Sequence, residues 1–284
     1  MRGTTSKTAF KHFKQAIRGF PVTTQAGFDE SVGLLKKALE ADPDYPRAKG
    51  WLAYAYATGA NDVWLKKSKH KTEAKWTRAR ALKVAEGLAR QAVDADAGDY
   101  DNHWALAYVQ LNKKDFDGAR DSYERALDLN DNNMNLLAEM ADGLVHMGRP
   151  DEAIEKIFRA RRVWDWHRWV LAWAYYFKGR TDAVYYDLAL AEIRQMYLKP
   201  GEAGYTPEVL LLTAALHAQK GAAHAKARQA RWAAAEKRRA RAALKEFKRH
   251  WPKWTSKDAR SAMVFAEAAD QRHWMDGVKR AGLR

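Results

Sequence analysis

Apolar and small residues recur along this chain at steps of three and four, the spacing of a helix face. No alternating apolar and polar run is long enough to require a strand. The seven prolines, at positions 21, 43, 46, 150, 200, 207 and 252, all fall at the ends of helical segments. There a missing N–H costs nothing at a helix start. The pattern predicts an all-α chain.

The helical segments also repeat. Ala119, Tyr123 and Ala126 are matched 34 residues later by Ala153, Ile157 and Ala160, and Leu106-Ala107 by Met140-Ala141. Small residues such as Ala53, Ala107, Ala141 and Ala172 let the first helix of a unit approach the second, whose own alanines do the same from the other side. Tyr56, Phe116 and Tyr123 fill the space to the next unit. One such pair cannot bury its apolar face alone, so neighbours must stack. Looser copies run through Leu35 and Ala38, Leu52 and Tyr56, Ala85 and Ala89, Leu171 and Tyr175, and Val209 to Gly221.

With its period of 34 and its small and large positions, the chain resembles the tetratricopeptide repeat proteins over nearly its whole length. The resemblance implies a right-handed α-solenoid of about five to six helix pairs forming a single domain over 1–284. Within it an insertion is expected at 61–81, a long continuous basic helix at 222–250 projecting beyond the repeats, and a C-terminal cap at 256–284. Three stretches carry a narrower likeness: Trp166 to Tyr175, Glu246 to Thr255, and His273 to Leu283. These are similar to the repeat region that follows class III adenylate/guanylate cyclase domains, or ToxR/CadC-like DNA-binding domains, in bacterial regulators. No room for either domain precedes the first repeat, so the resemblance implies an interaction module alone.

In such a solenoid the first helix of each unit lines the concave face. That face reads Trp51 and Tyr54 in the second unit, Trp104 and Tyr108 in the third, Asn135, Glu139 and Asp142 in the fourth, and Trp166, Trp169, Trp173 and Phe177 in the fifth. Trp and Tyr dominate binding energy at protein interfaces because they bury large areas at low entropic cost. The same rings also serve as filling between helices, and the sequence leaves both readings open for Trp51 and Trp104.

Composition narrows the chemistry. Hydrophobic residues at 47% and charged ones at 30% are globular values. Cysteine is absent, which removes disulfides, thiolate metal sites and cysteine nucleophiles together. No apolar run approaches the roughly 20 residues that span a bilayer, and a cytoplasmic location is expected. None of the nine histidines stands in a metal-ligand motif, and nucleophile-elbow, phosphate-loop and dinucleotide signatures are missing. The expectation is a non-catalytic scaffold without cofactor or metal.

The net charge of +15 is concentrated at the ends. Residues 1–100 carry 18 Lys and Arg against 11 Asp and Glu, residues 101–200 carry 14 against 16, and residues 201–284 carry 18 against 8. Two tracts stand out. One holds Lys66, Lys67, Lys69, Lys71, Lys75 and Arg78; the other, over 222–250, holds Arg238, Arg239, Arg241 and Lys245. With Trp76, Trp232 and Trp251 interleaved, such faces suit phosphates or anionic headgroups, though a charge run also serves simply as a solvated face. The expected partner is another protein, acidic if charge guides it, with nucleic acid or an anionic membrane as the alternative. At the N-terminus Phe10, Phe13 and Ile17 form an apolar stripe that predicts self-association or docking in a larger complex.

Overall fold

The computed structural model describes residues 3–18, 24–61, 68, 76–160, 165–196, 206–263 and 265–284. Among these are fourteen α-helices and no strand. They fall into two compact units, Met1–Leu136 and Leu137–Arg284. Unit 1 holds α1 (Lys7–Ile17), α2 (Gln25–Ala41), α3 (Pro46–Asn61), α4 (Arg78–Ala95), α5 (Tyr100–Lys113) and α6 (Phe116–Leu129). α7 (Met134–His146) begins at the end of unit 1 and lies mostly in unit 2. Unit 2 continues with α8 (Pro150–Arg159), α9 (Asp165–Lys178), α10 (Val184–Gln195), α11 (Pro207–Lys226) and α12 (Ala230–His250). It closes with α13 (Ser256–Ala262) and α14 (Ala268–Ala281). Within unit 1, α1 packs on α2, α3 on α4 and α5 on α6; within unit 2, α9 packs on α10 and α11 on α12.

Local chemistry explains the starts. Oxygen atoms of Ser6, Thr77, Asp115 and Thr206 accept the N–H groups of Ala9, Arg80, Gly118 and Val209, donors that a first helical turn would leave orphaned. Thr255 and Asp258 form a complete capping box at α13. Pro46, Pro150 and Pro207 each open a helix. The close turn between α5 and α6 depends on Gly118, where a Cβ would sit 2.5 Å from both Asp115 Oδ2 and Gln110 Nε2.

The alanines of the repeat, Ala107, Ala119, Ala126, Ala141, Ala153 and Ala160, are all buried, as are Tyr123 and Ile157. The core of unit 1 gathers Phe13, Phe28, Leu35, Tyr45, Tyr56 and Val109. In unit 2 the largest buried rings are Trp173, Trp274, Tyr176, Phe177 and Phe247.

The continuous helix expected over 222–250 is instead two helices. α11 ends at Lys226, Arg228 adopts the left-handed conformation at φ 58°, and the Gln229 N–H donates to the His224 carbonyl at 2.9 Å. α12 turns back to pack along α11, closing a seam of Ala214, Ala218 and Ala240. A straight helix would leave Ala240 and Phe247 in water, so burial overrides the helix-favouring alanines at the break.

Candidate protein-binding face

In unit 1 the predicted concave positions of α3 and α5 meet rung by rung. Arg47 Nε lies 3.1 Å from Asp99 Oδ2, and the same guanidinium pairs with Asp101. One turn on, the Trp51 and Trp104 rings meet edge to face at 5.6 Å between centroids. Tyr54 and Tyr108 stack at 4.1 Å with an interplanar angle of 17°. Thr58 and Asn112 tie back to their own helices, donating to the carbonyls of Tyr54 at 3.1 Å and Tyr108 at 2.9 Å. Arg78 donates across to the Asn112 carbonyl at 2.8 Å.

This register follows from the repeat. Pairs of residues at matching places in successive units face one another when first helices stack side by side, and 3.6-residue periodicity keeps them facing for several turns. Trp51, Tyr54, Trp104 and Tyr108 are half-buried: their rings hold one another in place while part of each stays in solvent. Rigid aromatic surface of this kind lowers the ordering cost of binding.

The faces in unit 2 differ from expectation. Trp166 and Trp169 on α9 are half-buried, but Trp173 and Phe177 are core residues, only 1% and 2% exposed. The chain's own C-terminal stretch covers them. Phe265 sits 6.1 Å from Trp173 and 5.1 Å from Phe177, and Trp274 of α14 packs on Trp173 at 4.9 Å. The Ala266 N–H donates to the His146 carbonyl at 2.8 Å, fixing this stretch against α7. Phe265 therefore covers the face of α9, while α14 packs on the last pair through Ala281 beside Ala214, Ala218 and Ala240. Glu139 is buried; Asp142, 3.7 Å from His146, has its carboxyl pushed up by burial, with the histidine acting in the opposite direction. Asn135, in unit 1, is exposed.

The N-terminal stripe is also corrected. Phe13 is 1% exposed, set edge to face against Tyr45 at 5.2 Å with the Arg47 guanidinium over its ring. Phe10 is half-buried beneath the Lys14 ammonium, and Ile17 is half-buried as well. The outer face of α1 is formed by Lys7, Lys11, Lys14 and Arg18, all exposed, at spacings of four, three and four. Like charges along this face oppose its self-pairing. The spacing of these cations is legible in the sequence.

Of the basic tracts, Lys66, Lys67, Lys69, Lys71 and Lys75 lie outside the described residues. Trp76 is buried against Tyr56 at 5.4 Å and is unavailable to a ligand. On α12, Arg238, Arg241 and Lys245 are exposed, while Arg239 bonds the buried Glu236 at 2.6 Å. Among the described residues no three His, Asp or Glu side chains converge to hold a metal ion, and no helix is long and apolar enough to cross a membrane.

The tetratricopeptide repeat model matches residues 100–133, the stretch of α5 and α6. A comparison with curated proteins returns no match. Among solved structures, the chain is similar to the Pseudomonas aeruginosa pilF protein at 17% identity and a TM-score of 0.51, over 87% of this chain and 94% of that one. It also aligns with the MamA protein at 20% identity and a TM-score of 0.42, over 68% of this chain and 99% of that one. A TPR protein of Thermus thermophilus aligns at 15% identity and a TM-score of 0.34, over 66% and 99%. Residues 100–133 are thus a tetratricopeptide repeat, set in an all-helical chain whose fold is an α-solenoid.

Proposed function

We propose that the chain is a non-catalytic scaffold whose unit 1 docks a segment of a partner protein across the aromatic rungs of α3 and α5. The observation that supports this reading is the register of Trp51 on Trp104 and Tyr54 on Tyr108. Two stacked helices present four half-buried rings as one pre-organised strip. Hydrophobic filling alone would leave such rings fully inside; rings held rigid and half in solvent are the anchors from which interface energy is built. The tetratricopeptide repeat at 100–133 supports the same class of task, protein–protein interaction, as an assembly or regulatory subunit of a larger complex. Affinity purification from the native cell, with wild type beside a Trp51→Ala/Tyr108→Ala variant, tests it. Each hot-spot ring removed is expected to weaken capture by ~2 kcal/mol, about 30-fold. A partner retained at full yield by a folded double variant refutes the groove.

A further inference from the structure

The exposed side of α12 is a line of cations without acids. Arg231, Arg238, Arg241 and Lys245 are all exposed, at spacings of seven, three and four, so they share one helix face over about 21 Å. No carboxylate pairs with any of them among the described residues. The two acids of α12 are turned to other work. Glu236 is 1% exposed and bonds His217 at 2.6 Å and Arg239 at 2.6 Å, with Lys220 at 3.5 Å. Glu246 accepts from Arg249 and, at 3.1 Å, from His250. Between the cations stand Ala234 and Ala242, both exposed, short enough that the long basic side chains are the first atoms a flat surface would meet. The preceding turn adds exposed Lys226 and Arg228. Beside the line, Trp232 is 57% exposed, an indole with one face left in water.

We infer that this face of α12 docks unit 2 onto an anionic phospholipid bilayer, with the cations on the headgroups and the Trp232 indole in the interfacial layer. The apolar face of α12 is spent on α11, through Ala240 and its neighbours, so the helix lies on the surface by charge and one ring instead of inserting an apolar side. A straight, low line of cations suits a plane of headgroups. Reading bases would call for serial aromatic platforms or side-chain amides; along Arg231, Arg238, Arg241 and Lys245 stand one ring and no amide, and the duplex arm of the test separates phosphate contact from a bilayer. The inference does not depend on the aromatic strip of unit 1.

The test is co-sedimentation of the full chain with vesicles of phosphatidylglycerol in phosphatidylcholine, with pure phosphatidylcholine vesicles and a DNA duplex as the other arms. Wild type is expected to bind the anionic vesicles at low salt, to lose them as salt rises, and to ignore the neutral ones. Each cation is worth about fivefold in partition, so Arg238→Ala/Arg241→Ala/Lys245→Ala should lose roughly 100-fold with helicity unchanged. If the triple variant loses helicity, single Arg238→Ala carries the test with its fivefold loss. Vesicles should blue-shift the emission of wild type more than that of Trp232→Phe. Absent binding to anionic vesicles at low salt, equal binding by the folded triple variant, or binding to duplex alone would each overturn the inference.

Discussion

Replacing Phe265 by alanine tests whether the C-terminal stretch is structural to unit 2. The ring is 7% exposed and lies against Trp173, Phe177 and His146, at 6.1, 5.1 and 5.5 Å between centroids. Removing it forfeits its transfer free energy and opens a ring-sized void lined by Trp173 and Phe177. Buried Phe→Ala changes cost about 3–5 kcal/mol when neighbours cannot collapse. Here the stretch carrying Phe265 is short and can partly close in, so the low end, ~3 kcal/mol, is expected. For a unit of this size that is roughly 6–12 °C in midpoint temperature. Thermal unfolding followed by circular dichroism reads the shift, and acrylamide quenching reads a second consequence: Trp173, now 1% exposed, should become accessible. A loss below about 1 kcal/mol with quenching unchanged would mean that Phe265 lies on a surface, and that Trp173 and Phe177 belong to an open groove after all.

Two further outcomes are expected. His273 is buried, and burial pushes its imidazole down to about 4, with the Arg180 charge acting in the same direction. The unfolded chain takes up a proton near the ordinary value of 6.5 while the folded one does not, so this group's stability is complete above pH 6.5 and drains away as pH falls towards 4. Urea midpoints at pH 7 and pH 5 should therefore differ less in His273→Gln than in wild type; an equal difference would refute the assignment. Gly277 on α14 leaves room for the Tyr176 hydroxyl, 2.5 Å from where a Cβ would stand, and for Ala215 Cβ at 3.0 Å. Gly277→Ala should destabilise unit 2 by about 1–3 kcal/mol despite alanine's better helix propensity, and a stabilised variant in urea would contradict that close approach.

The helices and their repeat were readable without coordinates because both are local. Alanines at matching places 34 residues apart mark where backbones must come close, and prolines and capping residues mark where many of the rods begin. That Trp51 and Tyr54 share one face of α3, and Trp104 and Tyr108 one face of α5, was readable for the same reason; that the two faces meet ring on ring came from the packing of the helices. Periodicity could not tell Trp166 and Trp169 from Trp173 and Phe177, which follow one another along one helix. Phe265 and Trp274, from a distant part of the chain, made the distinction by covering only the second pair. Phe13 was hidden in the same way by Tyr45, and α12 was folded back rather than extended because Ala240 and Glu236 had partners on α11. Spacing records which residues share a face; whether that face meets water depends on which remote segment covers it, and that is settled by the free energy of burial across the whole chain.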